Sequence, residues 1–156
     1  MKVLFVCSGN ICRSPMAAEY FRARAAEAGL SHVVVDSAGT LGIVGAPASD
    51  EAIRVMRDIG IDLQHHRSKA LTRQLLATTD LVVAMTGQHL DHLARHYPEG
   101  EDTRMVLRAF ERGPRPAAGG PDLADPMGRP LAFYRELVPV LRVCLDHLVL
   151  YLKHRE

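Results

Sequence analysis

Val6-Cys7-Ser8-Gly9-Asn10-Ile11-Cys12-Arg13-Ser14-Pro15 is the stretch on which the reading of this chain turns. The apolar run before it, Val3-Leu4-Phe5-Val6, reads as a buried strand, and Met16-Ala17-Ala18-Glu19-Tyr20-Phe21 after it reads as a helix. Ser14 is the expected N-cap of that helix and Pro15 its first helical position. A strand, a tight polar loop and a helix N-terminus make an anion site, because backbone N–H groups and the helix dipole converge on one point. A thiol at the mouth of such a site, here Cys7, turns a binding device into a reaction centre.

Working outward, alternating strands and helices are expected along the rest of the chain. The first helix stops at Gly29, His32 to Asp36 is a second strand, and Ser37 to Pro47 reads as a glycine-rich loop. A helix starts at Ser49 or Asp50 and ends at Gly60, and a short one covers Thr72 to Ala77. Asp80 to Met85 is a third strand, Gly87 to His96 a helix, and Met105 to Leu107 a fourth strand. Ala109 to Pro130 is proline- and glycine-rich and must be a long loop, a length usually kept for function. The last segment repeats Tyr134, Leu137, Val138, Leu141, Leu145, Leu148 and Leu152 at helical spacing, with Pro139 expected to kink or divide it. This order implies an α/β fold: a parallel sheet covered by helices on both faces, with ligands beyond the carboxyl ends of its strands. No linker or repeat is visible, so residues 1–156 read as a single domain.

Bulk properties narrow the function. A net charge of +1 gives no electrostatic drive towards nucleic acid or a membrane surface. The amino terminus turns polar too soon for a signal peptide, and no apolar run approaches the roughly 20 residues of a membrane span. Three cysteines suit thiol chemistry in a reducing cytoplasm better than a disulfide scaffold.

The loop suits a phosphate ester. Such a dianion repels nucleophiles, so a catalyst must surround it with positive charge before attacking. Backbone amides from Ser8 to Arg13 can face inward, and the planar fork of Arg13 matches two phosphoryl oxygens. Gly9 and Asn10 are residue types that tolerate the left-handed backbone an inward-facing loop needs. Ser14 can donate its hydroxyl to the sulfur of Cys7 and ease departure of the thiolate. Cleavage also needs a proton for the departing oxygen, and the long loop offers Asp122 and Asp125. Of the two, only Asp125 precedes a proline, Pro126, which holds it extended.

These residues resemble the signature of the low-molecular-weight protein tyrosine phosphatases. Ser37-Ala38-Gly39-Thr40, Asp80-Leu81-Val82-Val83-Ala84-Met85 and Asp125-Pro126 fall in the order of that family, so the resemblance spans the chain. It implies a three-layer, four-stranded fold of the phosphotyrosine phosphatase I type, a cysteinyl-phosphate intermediate, no cofactor and no metal. It implies Cys7 as nucleophile, Arg13 as phosphate clamp and Asp125 as general acid, then base. Ser8, Gly9, Asn10, Ile11, Cys12 and Ser14 would bind substrate. Asn10, Ser37 and His66, or else neighbouring His65, would support the loop, and Cys12 could trap an oxidised Cys7 as a disulfide. The implied partners are phosphorylated proteins, phosphotyrosine-containing ones first, with a kinase as counterpart.

Cys144 falls in the apolar pattern of the last helix and reads as core. His89, His92 and His96 recur at helical spacing without a carboxylate or thiolate partner, and read as a solvated face rather than a metal site. Ile11 should stand on the rim of the phosphate cup. There the related protein-arginine phosphatases typically carry threonine, so an apolar residue favours an aromatic ring over a guanidinium. The Asp125-Pro126-Met127-Gly128 and Leu71 to His89 segments nevertheless look closer to the arginine-phosphatase branch. Met127, Leu41 and Ile43 stand where tyrosine-directed relatives commonly use aromatic walls, so stacking on a ring would be modest. Arsenate reductases share the loop but need further cysteines after the third strand, and residues 85–104 contain none. A non-catalytic phosphate-binding module would be expected to have lost the thiol, the arginine or the acid.

Overall fold

A computed structural model describes residues 1–155. Four strands, β1 (Lys2–Cys7), β2 (Val34–Gly39), β3 (Leu81–Ala84) and β4 (Thr103–Val106), pair in parallel in the order β2-β1-β3-β4. Around them lie α1 (Arg13–Glu27), α2 (Asp50–Asp58), α3 (Arg73–Ala77), α4 (Gly87–His96) and α5 (Leu131–Lys153). The sheet is buried on both faces, which is why β1 and β3 read as unbroken apolar runs.

Strand alternation sorts the core into two layers. Val3, Phe5, Leu81 and Val83 point to one face and pack with α1, α2 and α5, where Phe5 and Phe21 meet edge to face at 5.5 Å. Leu4, Val6 and Val82 point to the other, against Leu76 of α3 and Leu93 of α4. Full burial of each large apolar side chain contributes about 1.5–3 kcal/mol. The three-layer, four-stranded parallel architecture is the expected one.

Four local expectations are corrected. Helix α1 begins at Arg13, with Cys12 at the N-cap and no side-chain cap; Ser14 lies inside the helix and its hydroxyl turns towards the loop. Residues 37–39 belong to β2 rather than to a loop, because Gly39 pairs with Cys7 on one side and bridges to Ala70 on the other. Pro139 does not divide α5, which runs unbroken from Leu131 to Lys153. Pro139 and Arg135, whose carbonyl loses its helical donor, are both exposed, so water can serve in its place. Within the phosphate loop, only Asn10 takes a left-handed conformation, at φ 58°; Gly9 does not. No helix among the described residues is long and apolar enough to cross a membrane.

Candidate active site

Because β1 is central and ends at Cys7, its continuation emerges where the sheet's neighbours can surround it. The carbonyls of Cys7 and Ser8 accept from the backbone N–H groups of Thr40 and Leu41, both at 3.0 Å. Ile11 O accepts from Ser49 N at 2.9 Å, and Asn10 O is 2.6 Å from His66 Nε2. In a trans peptide the N–H points opposite to the carbonyl. Four carbonyls bound outward therefore turn the amides of Ser8, Gly9, Ile11 and Cys12 towards the centre of the loop, the geometry of an anion nest.

Asn10 is the keystone. Its amide nitrogen donates to Ser14 Oγ at 2.8 Å and Ser37 Oγ at 2.9 Å, while its amide oxygen accepts from Lys69 N at 3.0 Å. Asn10, Ser14 and Ser37 are buried, so the network satisfies groups that would otherwise destabilise the loop. It also fixes a proton. Since Ser14 Oγ accepts from Asn10, its own hydrogen is left for Cys7 Sγ, 2.9 Å away.

His66, not His65, reaches the loop; His65 is exposed and pairs with Asp62. Burial pushes the His66 imidazole below the usual histidine range, which keeps the ring neutral at its contact with Asn10 O. Cys12 is buried, with its sulfur 3.3 Å from Tyr134 Oη and 3.5 Å from Ser49 Oγ. Burial raises its thiol above the ordinary value. Cys144 lies in the core.

The long loop comes back over this centre. Leu123 is buried, its N–H donating to Met85 O at 2.9 Å, and Arg13 Nη1 donates to its carbonyl at 2.9 Å. Asp125 follows, with Oδ2 3.8 Å from Arg13 Nη2 and a side chain 57% exposed. Its Oδ1 accepts from Met127 N across Pro126 at 3.0 Å, a turn that sets the direction of the carboxylate. Cys7, Arg13, Ser14 and Asp125 thus stand around one loop. The mouth is apolar and open, with half-buried Ile11 and exposed Leu41, Ile43 and Met127.

His89 departs from the sequence reading. It is 5% exposed, not solvated, with Nε2 2.9 Å from Ser8 Oγ and Nδ1 3.0 Å from Thr86 Oγ1. Burial, then the positive charge of Arg13, depress its pKa to about 4. Helical spacing alone could not separate it, since His89, His92 and His96 share one face of α4; His89 is buried because the first turn lies against the phosphate loop, while His92 is half-buried and His96 exposed. In sequence Tyr134 falls in an apolar helical pattern and Leu123 in a long loop, yet each touches a residue of the phosphate loop. Among the described residues, no cluster of His, Cys, Asp or Glu could hold a metal.

The model of the family described as low molecular weight phosphotyrosine protein phosphatase matches residues 2–155. A low molecular weight protein-tyrosine-phosphatase of Streptomyces coelicolor is 42% identical over 131 residues, 80% of this chain and 77% of the relative. A protein-arginine-phosphatase of Geobacillus stearothermophilus is 37% identical over 147 residues, 94% of this chain and 93% of the relative. Among solved structures, the YwlE arginine phosphatase, as a mutant with a phosphorylated active site serine, superposes with a TM-score of 0.89 at 32% identity, covering 98% of this chain and 96% of that one. With the signature loop, the fold and a match along almost the whole length in agreement, the chain belongs to the low molecular weight phosphotyrosine protein phosphatase family.

Proposed function

We propose that this protein hydrolyses phosphotyrosine in proteins, and small aryl phosphates, through a phosphocysteine, with residues 1–156 acting as one phosphatase domain. The phosphoryl group enters the nest of loop amides and meets the Arg13 guanidinium. Cys7 attacks phosphorus as the thiolate, the S–P bond forms, and the P–O bond to the leaving group breaks. Asp125 donates a proton to the departing oxygen. Water then attacks the phosphocysteine and gives its proton to Asp125; the S–P bond breaks, releasing inorganic phosphate and the thiolate. The Ser14 hydroxyl, committed to Cys7 by the Asn10 contact, stabilises that thiolate both before attack and on departure. The phosphorylated active site serine of the structural relative supports attack by a side chain at this place in the fold.

The observation that carries the reading is the pairing of the Cys7–Ser14 contact with Asp125 beside Arg13 at the same loop. Phosphotyrosine is preferred because Ile11, Leu41, Ile43 and Met127 offer a ring an apolar mouth and a guanidinium no polar contact. The arginine-phosphatase relatives favour a second reading, hydrolysis of phosphoarginine on the same machinery. The three free cysteines suit a reducing cytoplasm, and the substrates are phosphorylated proteins supplied by a kinase.

Side-by-side hydrolysis of phosphotyrosine and phosphoarginine peptides by wild type, Cys7→Ser and Ile11→Thr tests this. Wild type should favour phosphotyrosine, Ile11→Thr should move towards phosphoarginine, and Cys7→Ser should be inactive while still binding inorganic phosphate. Turnover by Cys7→Ser would overturn the nucleophile. Wild-type preference for phosphoarginine would replace the first substrate with the second.

A further inference from the structure

The loop carrying Asp125 is fastened at two points close together in sequence, and only one of them is explained by the core. Leu123, 1% exposed, is anchored by packing and by its N–H on Met85 O. One residue earlier, the exposed Asp122 turns its carboxylate back, and Oδ1 accepts from the backbone N–H of Gly87 at 2.9 Å. Its own carbonyl accepts from Arg108 Nη1 at 3.1 Å. A single anchor at Leu123 would leave the strap free to pivot about it. A second, on a different part of the β3–α4 connection, removes the pivot and fixes the direction in which residues 124–127 leave.

The partner of Asp122 is well placed for that task. Gly87 opens α4, where main-chain N–H groups lack helical acceptors and a carboxylate is favoured by the dipole. Two residues on, in the same turn, His89 holds the Ser8 hydroxyl of the phosphate loop. Thr86 caps the turn, its Oγ1 accepting from His89 N at 3.3 Å. One turn of helix is therefore the common mount of both working parts: through His89 it touches the loop that holds the phosphoryl group, and through Gly87 the loop that holds Asp125.

We propose that Asp122 is a positioning residue for the general acid, acting through the first turn of α4 to set Asp125 against the phosphate loop. This rests on the reading of Asp125 as the proton donor. It also gives the second carboxylate of the long loop a task that needs no contact with the substrate.

The test is a series of phosphate monoesters from good aryl to poor alkyl leaving groups, measured on Asp122→Ala, Asp122→Asn, Asp125→Ala and the double alanine variant, with inhibition by inorganic phosphate alongside. Asp122→Ala should lose about tenfold in kcat/KM on alkyl esters, the order expected for one charge-assisted hydrogen bond, and little in kcat/KM on good aryl esters, whose departure needs no proton. Asp122→Asn, whose amide oxygen still accepts from Gly87, should recover most of the loss. Adding Asp122→Ala to Asp125→Ala should cost nothing more, and phosphate inhibition should stay at the wild-type value in Asp122→Ala. A loss in kcat/KM equal across all leaving groups, an additive double variant or weakened phosphate inhibition would overturn the positioning role while leaving Asp125 as the acid. If Asp125→Ala instead retained full activity on alkyl esters while Asp122→Ala and Asp122→Asn both lost it, the assignment of the acid itself would fall.

Discussion

Gly39→Ala should cripple the site although Gly39 makes no contact with substrate in the proposed mechanism. A Cβ built at Gly39 lies 2.6 Å from Ser8 O and 3.0 Å from both Asn10 N and Gly9 C, all of them backbone atoms. Relief to an ordinary carbon–oxygen contact requires a movement of about 0.8 Å. Gly39 cannot supply it, because its N–H is bound to Lys69 O, its carbonyl to Leu71 N, and its strand to β1. The phosphate loop must give way instead, against the bonds of Ser8 O to Leu41 and of Asn10 to Ser37 and Lys69. Overpacking of this kind costs about 1–3 kcal/mol of stability. A displacement near 1 Å at the reacting groups costs up to about a hundredfold in rate. Gly9→Ala is the control: inside the loop itself, its Cβ would meet only the Ile11 and Ile43 side chains at 3.6 Å, an ordinary contact. Steady-state hydrolysis of an aryl phosphate, phosphate inhibition and thermal unfolding on the two variants decide it. Gly39→Ala should fall at least tenfold in kcat and bind phosphate more weakly, with Gly9→Ala far less affected. The reverse order, or two equal losses, would refute the close-approach argument.

Acid sensitivity should trace in part to His89. Its ring titrates near 6.5 when unfolded and near 4 when folded, so between those values the unfolded chain binds the extra proton and stability falls as pH falls. The contribution is about 2 kcal/mol between pH 7 and 5, with His66 adding in the same direction. Urea midpoints at the two pH values should therefore converge in His89→Gln, and an unchanged drop would remove His89 from the account. At position 10, Asn10→Gly keeps the left-handed backbone and loses only the side-chain bonds, whereas Asn10→Ala loses both. The alanine variant should be the less stable by about 1 kcal/mol in thermal unfolding; equal stabilities would mean that the φ of 58° carries no strain.

The fold was legible because both faces of the sheet are buried, which writes β1 and β3 as apolar runs, and because Gly29 and Gly60 stop their helices in left-handed conformations. Local chemistry misled where tertiary contacts outbid it. Ser14 has the composition of a cap, but Asn10 and Cys7 recruit its hydroxyl. Ser37-Ala38-Gly39 has the composition of a loop, yet pairing with β1, and a bridge from Gly39 to Ala70, claims it as strand. His89 was hidden by its neighbours, since one helix face carries His89, His92 and His96 and only its first turn is buried, against the phosphate loop. The fastening of the long loop, through Leu123 and Asp122 to residues near 85, depends on contacts far apart in sequence that no local pattern announces.

Cys12 meets Tyr134 across 122 positions of chain, and Arg13 meets Leu123 across 110. The loop residues are synthesised more than a hundred positions ahead of these supports. During translation β1 can pair with β2 first but must wait for β3, then for the long loop, then for α5, so the site around Cys7 stays incomplete until α5 has emerged. The sheet order, with the oldest strand in the middle, makes completion of the reaction centre one of the final events of folding rather than one of the first. An arrested or truncated nascent chain would hold the signature loop without the machinery that makes it a catalyst.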